Sequence, residues 1–448
     1  MNNLKAGFGR VNITPPMGIS IRGYFKPRYA EGVLDELEIN ALALEAGDIK
    51  TLLLTVDHCG IEQNLCNDFI KAISDATSVP KENIIISATH THTGPALEKD
   101  SKDELTKEYT TFVARKIVDA AQFALDDLKD AKMGFGKGVA PNVAFVRRYV
   151  MKDGSIKTNP GVNNPDIVRP IGDTDESVNV MRFDREGAES IVYVNFANHP
   201  DVVGGCKISA DWPGLLRGTV EKILDNTKCI FFNGAQGDVN HVNVHPTGGY
   251  LNDMFMDFDD VSRGYAHAKY IARVVTGGVL QAYDKVEYVD VDSLVSKQIV
   301  INVPSNRPDP KDMPEAHRIN DLHNAGKDSE LGYEGMMLTT IVAEAGRMVR
   351  LENGPDSFDM RLSALKIGPV AIIGIPGEPF TGIGVGLKAT EGFQMVLPCC
   401  LTNGSEGYFP MQDSYDEGGY EARSSRFKAG VAEFIIKEGK ELLTSLNK

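Results

Sequence analysis

Apolar runs long enough to span a bilayer are missing from this 448-residue chain. No 18-residue apolar stretch occurs, and the amino terminus, Met1-Asn2-Asn3-Leu4-Lys5-Ala6-Gly7, lacks the apolar core of a signal peptide. The expectation is a soluble, cytoplasmic protein with no transmembrane segment, unless an export signal has been removed. Cysteine is scarce too. The six present (Cys59, Cys66, Cys206, Cys229, Cys399 and Cys400) include no CxxC pair and exclude the dense disulfide framework of a small secreted domain. Cys399 and Cys400, after an apolar stretch, read as buried reduced thiols. Positive charge is in deficit, with 47 Lys and Arg against 62 Asp and Glu, a net charge of −15 and a pI near 5.1. That field repels nucleic acid and disfavours anionic membranes, which leaves a small molecule as the expected partner. A GxSxG nucleophile elbow and a Walker A loop are also absent, and Gly382, Gly384 and Gly386 lack the downstream acid of a dinucleotide fold.

What is present is ordinary globular material, 42% hydrophobic and 24% charged, in which short apolar runs alternate with longer amphipathic ones. This pattern predicts an α/β protein with a mixed β-sheet core flanked by helices and a site in loops at strand ends. Strands are expected at 51–56, 83–87, 190–196, 229–232, 358–367, 370–375 and 395–401. Helices are expected near 63–76, 102–128, 213–224, 265–283, 379–390 and 421–446. Asp211 can cap the helix near 213, and Pro213 suits its first turn. Residues 246–260 read as a long loop. Nothing resembles a flexible linker, so a single domain over 1–448 is expected, with a polar insertion around 304–355 that either walls a substrate cleft or forms plain surface helix.

Chemistry-bearing side chains gather just past the apolar strands. In Thr89-His90-Thr91-His92-Thr93 two imidazoles stand two residues apart, and extended backbone would project both to one side. Two solvated loop histidines would show the same spacing. His199 follows the strand at 190–196, where a lone His beside Pro200 is either a ligand or structural. Glu378 lies where a strand turns into a helix, and a Glu there can also serve the helix dipole. Asn233 to Asn240 is glycine-containing and follows a strand, so its backbone can approach a ligand, and Asp238 can orient a neighbour. Arg147 and Arg148 offer a fork of donors to an oxyanion or simply lie at the surface. Tyr408, Tyr415 and Tyr420 sit in a glycine-rich stretch as packing residues or substrate contacts.

In this order, the segments resemble the amino-terminal catalytic domain of the neutral, non-lysosomal ceramidases, zinc amidohydrolases that cleave the N-acyl bond of ceramide. The matching pieces are SATHTHTGP at 87–95, NHP at 198–200, SADWPG at 209–214, NGAQGDV at 233–239, PGE at 376–378 and a Gly-Tyr pair ending in Tyr408, with Tyr420 beyond it. The resemblance implies that His90, His199, Glu378 and Tyr408 bind Zn2+, that His92 assists proton transfer, and that Tyr420 and Arg147 line the reacting centre. The arginine assignment can slip to Arg148, because the family's preceding Asn is Val146 here. Asn240 stands where the family has a serine that approaches the substrate, and the chain stops where the family's carboxy-terminal β-sandwich would begin.

The implied activity is a zinc-dependent hydrolase whose activated water attacks an amide, ester or lactone carbonyl. An acidic chain with one Trp, Trp212, shows little sign of a membrane-docking rim, so a polar soluble substrate is expected. The alternatives are a true ceramidase, a hydrolase of a sugar-derived bond, and a non-catalytic zinc-containing binding protein.

Overall fold

The computed structural model describes residues 4–246, 254–259 and 261–448. Two sheets stack between layers of helix. The larger runs in the order 227–233, 190–196, 177–185, 129–139, 5–12, 38–46, 49–56 and 84–88, and the strand Glu287–Val289 joins it beside Lys129–Val139. The smaller holds Leu294–Pro304, Ser357–Ile367, Val370–Gly374 and Met395–Cys399.

The layering follows from period-two alternation in strands buried on both faces. In Glu38–Ala46, Ile39, Ala41 and Ala43 join one core cluster with the helices Gln63–Thr77 and Glu104–Asp126. Leu42 and Leu44, between them, point the other way into a cluster shared with Leu365, Val370, Ile372 and Leu397 of the smaller sheet. Ser190–Phe196 repeats the device. Val192, Val194 and Phe196 pack under the helices Asp211–Ile223 and Tyr265–Tyr283, while Ile191 and Tyr193 face the second sheet. The helices Thr381–Lys388 and Val431–Ser445 cover that sheet's outer face. The mixed sheet flanked by helices is therefore present, with a second sheet in place of one of the two helical covers.

Within these two sheets most neighbours are antiparallel, but three pairs are parallel: Ile49–Val56 with Ile84–Ala88, Ser190–Phe196 with Thr227–Asn233, and Val370–Gly374 with Met395–Cys399. Each is joined by a crossover helix, as parallel strands require.

Several boundaries differ from the sequence reading. The expected helix over 421–446 is two, Tyr420–Ser424 and Val431–Ser445, separated by Gly430 in left-handed backbone (φ 96°). Asp211 does not cap; it is itself left-handed (φ 56°), and its carboxylate accepts the amides of Val202 and Val203, tying the helix to the loop after His199. Of the loop read at 246–260, residues 247–253 and 260 lie outside the described residues; Phe255–Met256 pairs with Ser262–Arg263. Between Leu294–Pro304 and Ser357–Ile367, which pair along their whole length, the helices Met313–Asn324 and Gly335–Leu351 pack on each other around Met313, Ile319, Leu331 and Val342. No helix among the described residues is long and apolar enough to cross a membrane.

Candidate metal centre

Each parallel pair delivers one side chain to a common point, outside the carboxyl ends of its strands. Ile84–Ala88 leads into His90, Ser190–Phe196 into His199, and Val370–Gly374 into Glu378. The backbone at His90 is left-handed (φ 79°), not extended, so the chain turns there and the flat geometry presumed for the His-x-His pair is absent. The rings of His90 and His92 still meet, with centroids 4.7 Å apart. A bulky residue in that conformation costs on the order of 1–3 kcal/mol and persists only where its surroundings hold it. Here they do. The Thr89 hydroxyl donates to Asp57 (3.1 Å), the His90 amide to the His58 carbonyl (2.9 Å), and the Thr91 and Thr93 hydroxyls to the Ser209 carbonyl (2.6 and 3.1 Å). The threonines of the motif are the braces of the turn.

Backbone carbonyls set the imidazole tautomers. Nδ1 of His90 lies 2.5 Å from the Cys59 carbonyl oxygen and Nδ1 of His199 lies 3.2 Å from that of Gln236, so both Nδ1 atoms donate and both Nε2 atoms present lone pairs. Those two Nε2 atoms are 3.0 Å apart. Glu378 Oε2 lies 3.2 Å from His90 Nε2 and 3.5 Å from His199 Nε2, yet is buried without a hydrogen-bond partner. Three such atoms this close repel one another unless a proton or a cation is shared. Ligands at about 2.0–2.2 Å around a tetrahedral zinc stand about 3.3–3.6 Å apart, so the donor set fits that ion in kind, with two of the three separations a few tenths of an ångström short of that spacing. A second group, Cys59 with His90 and His92, also converges. It has Cys59 Sγ 3.8 Å from the Nδ1 side of His90, whose proton the carbonyl already takes, so the His90–His199–Glu378 set is the better fit.

Charge in the cluster is strongly coupled. Burial is the largest influence on His90 and works to lower its pKa, but Glu378 and Cys59 together outweigh it and, with no metal bound, hold it well above the usual imidazole range. Burial, then Arg147 and the neighbouring imidazoles, keep His199 neutral. Burial works to raise the pKa of Glu378, and the charges of His90 and Arg147 hold it below the usual carboxylate range instead. Mainly through burial, His92 is pushed down to about 3.

The turn carrying Glu378 is built to close tolerances. A Cβ on Gly237 would come within 2.5 Å of the Glu378 carbonyl oxygen, so only glycine lets the two loops pass. Asp238 accepts from the Thr381 amide and hydroxyl (2.7 and 2.8 Å), anchoring the helix that follows Glu378. Glu378 pairs in parallel register with Tyr408, whose ring lies under the Arg147 guanidinium (5.3 Å) and edge-on to Tyr420 (5.6 Å).

Arg147 and Arg148 part company. Arg147, buried, donates to Glu421 (2.6 Å) and to the Gly237 carbonyl (2.7 Å) beside Tyr408. Arg148 turns away to Ser414, Glu417 and the Gly418 carbonyl. Asn240 is not brought to the cluster by any side-chain bond: its amide donates to Asn159 (3.0 Å) and accepts from Val242 (3.0 Å). Tyr415 is also elsewhere, donating to the Phe427 carbonyl.

Sequence reasoning passed over Asp201, Arg263 and Tyr24. Asp201 Oδ1 lies 3.6 Å from His92 Nδ1 and accepts from Tyr24 (2.5 Å) and from Arg263 (3.0 Å), whose guanidinium is fully buried between Asp201 and Asp259. An acid two residues after His199 was the available signal. Glu421, the buried partner of Arg147, adjoins Tyr420 in sequence and had none.

The cluster floors an open cleft of about 500 Å³ lined by His90, Glu378, Tyr408 and Tyr420, with Phe25, Cys59, Arg350 and Phe358 among its walls. The neutral ceramidase from Pseudomonas aeruginosa matches with a TM-score of 0.75, covering 100% of this chain and 75% of that one at 17% identity. The fold is that of neutral ceramidase. A ceramidase complexed with C2 matches with a TM-score of 0.73 at 17% identity, over 100% of this chain and 76% of that one. No family model matches the chain. The likeness to neutral ceramidase is one of backbone architecture, extending from end to end of this chain.

Proposed function

We propose that this protein is a zinc-dependent hydrolase of the neutral-ceramidase type, acting on the acyl carbonyl of an amide, ester or lactone in a polar substrate. One observation carries the reading: His90 Nε2, His199 Nε2 and Glu378 Oε2 stand 3.0–3.5 Å apart, with both imidazole tautomers fixed for coordination, at the floor of an open cleft. Tyr408, in register with Glu378, would complete the set. Zinc bound there would lower the pKa of a coordinated water towards about 7 and polarise the carbonyl.

The chain's own residues supply the rest. His92, whose Nε2 lies 3.2 Å from that of His90, would move the proton to the leaving atom, and Asp201 behind its Nδ1 would favour the imidazolium formed on the way. Arg147, held rigid by Glu421 and Gly237, and Tyr420 across the Tyr408 ring would receive the developing oxyanion. Losing one such donor costs on the order of 100-fold or more in rate. Asn240, whose side chain bonds Asn159 and Val242, is assigned no step in this scheme.

The cleft wall favours a polar substrate over ceramide, because Arg22, Arg347, Arg350 and Arg426 interrupt any apolar channel for an acyl chain. The cleft reaches the site beside Tyr408 and Tyr420, leaving room for water and substrate next to the ion, which favours turnover over a purely structural ion closed off by protein. The test is metal analysis followed by an N-acyl, ester, lactone and glycoside screen with metal-free and zinc-restored protein. About one zinc per chain and zinc-restored acyl hydrolysis are expected. Undiminished hydrolysis without metal would overturn the reading, and tight zinc with no turnover would replace it with a binding protein.

A further inference from the structure

Four arginines in the wall of one cleft are out of keeping with a chain of net charge −15. Three of the four are accounted for. Arg426 pairs with Glu406 (2.8 Å), Arg22 with Glu62 (3.3 Å), and Arg347 donates to the carbonyls of Asn306 (2.7 Å) and Arg423 (2.9 Å). Arg350 is different. Among the described residues no carboxylate pairs with it; it is exposed to solvent at the cleft wall, and partial burial, then the like charge of Arg426, lower its pKa. It sits one residue before the end of the helix Gly335–Leu351, where a cation suits the helix dipole. The dipole accounts for one positive charge, not for placing it on the same wall as a second guanidinium.

The chemistry of that wall specifies a ligand. The Arg350 guanidinium offers a planar fork of donors, with Arg426 beside it already paired with Glu406, and such a fork matches carboxylate or phosphate oxygens. Phe25, Leu351, Pro355 and Phe358 in the same cleft supply apolar contact beside them, and Arg426 lies over the Phe358 ring (5.4 Å). Resting on the hydrolase reading above, we infer that the substrate is an acyl compound carrying an anionic group, carboxylate or phosphate, remote from the scissile bond, and that Arg350 receives it. The helical segment between the strands Leu294–Pro304 and Ser357–Ile367 is then the specificity element, since it brings Arg347 and Arg350 to a cleft whose floor is built by other parts of the fold.

The experiment uses the zinc-loaded full chain and three esters sharing a 4-nitrophenol leaving group, with a neutral, a carboxylate-bearing or a phosphate-bearing acyl chain. In Arg350→Ala the ratio of kcat/KM for anionic over neutral ester should fall at least 10-fold, and in Arg350→Glu it should fall further. Calorimetry with phenylacetate and phenyl phosphate should show binding weakened at least 10-fold by Arg350→Ala, with no such change for the neutral phenylacetamide; the more affected anion identifies the group. Arg318→Ala, on the exposed face of the helix Met313–Asn324, should change neither readout. An unchanged ratio together with unchanged anion binding in Arg350→Ala overturns the inference, and zinc-dependent turnover of the neutral ester would then leave the hydrolase reading standing. If no ester is turned over, calorimetry alone decides whether the anion site exists, and unchanged anion binding in Arg350→Ala then overturns the inference.

Discussion

Replacing Arg217 by Met should destabilise the fold by roughly 3–5 kcal/mol, the usual cost of removing one partner from a buried ion pair. Arg217 projects from the helix Asp211–Ile223 to Asp57 at the end of Ile49–Val56, donating at 3.0 and 2.5 Å, with the two side chains 2% and 1% exposed. Burial works against its charge, yet the attraction of Asp57 and then Glu38 outweighs it and holds its pKa above the usual range. Asp57 also accepts the Thr89 hydroxyl (3.1 Å) and the Glu38 amide (2.9 Å), so the carboxylate left behind would be fully buried and charged beside the metal-site turn. The double variant Arg217→Met with Asp57→Asn removes that stranded charge, though its single amide oxygen can accept from only one of the Thr89 hydroxyl and the Glu38 amide, so it should recover part of the loss. Urea unfolding reports this through Trp212, the single and fully buried tryptophan of the same helix. A single-variant loss below about 1 kcal/mol, or a double variant no more stable than the single, would refute the claim that this pair is a charged, desolvated brace.

His90→Ala and His199→Ala should each drop bound zinc well below one per chain and reduce acyl hydrolysis to background, with circular dichroism unchanged; wild-type metal content in either variant would count against the assignment. Gly237→Ala, which pushes a Cβ to 2.5 Å from the Glu378 carbonyl oxygen, should weaken zinc binding at least 10-fold in a chelator competition, as displaced ligand supports do. Stability should fall with acid through His241, which is buried, donates to the Ser262 carbonyl and is pushed down to about 4 by desolvation. Its folded pKa lies below the unfolded value near 6.5, so the stability it confers is complete above about pH 6.5 and is lost as pH falls through about 4, a change on the order of 3 kcal/mol. Urea midpoints compared at pH 7 and pH 4 should differ less in His241→Gln than in the wild type; equal differences would exclude His241 as the cause.

The apolar strands were legible because buried runs such as 51–56, 190–196 and 370–375 announce themselves in single-letter code. Strands carrying glycine and charge did not. Lys5–Asn12 and Lys129–Val139 read as KAGFGRVN and KDAKMGFGKGV, and they form strands because neighbours and packed helices complete them, not through local propensity. The second sheet was invisible for a related reason: period-two patterns cannot say what lies over each face. At the site, the ligand-type residues stood out by residue type and strand-end position, while their partners did not. Asp201, Arg263 and Glu421 are ordinary charged residues whose meaning comes from burial against His92 and Arg147. Asn240 is a polar residue in the right loop whose side chain bonds Asn159, a partner that loop position alone does not announce.

The most direct measurement is anomalous diffraction at the zinc edge from crystals grown with zinc. The account predicts one strong peak about 2 Å from His90 Nε2, His199 Nε2 and Glu378 Oε2, with the Tyr408 hydroxyl as the fourth protein ligand and the cleft side open. A peak bound instead by Cys59 Sγ with His90 and His92, or no peak among these side chains at saturating zinc, would contradict it.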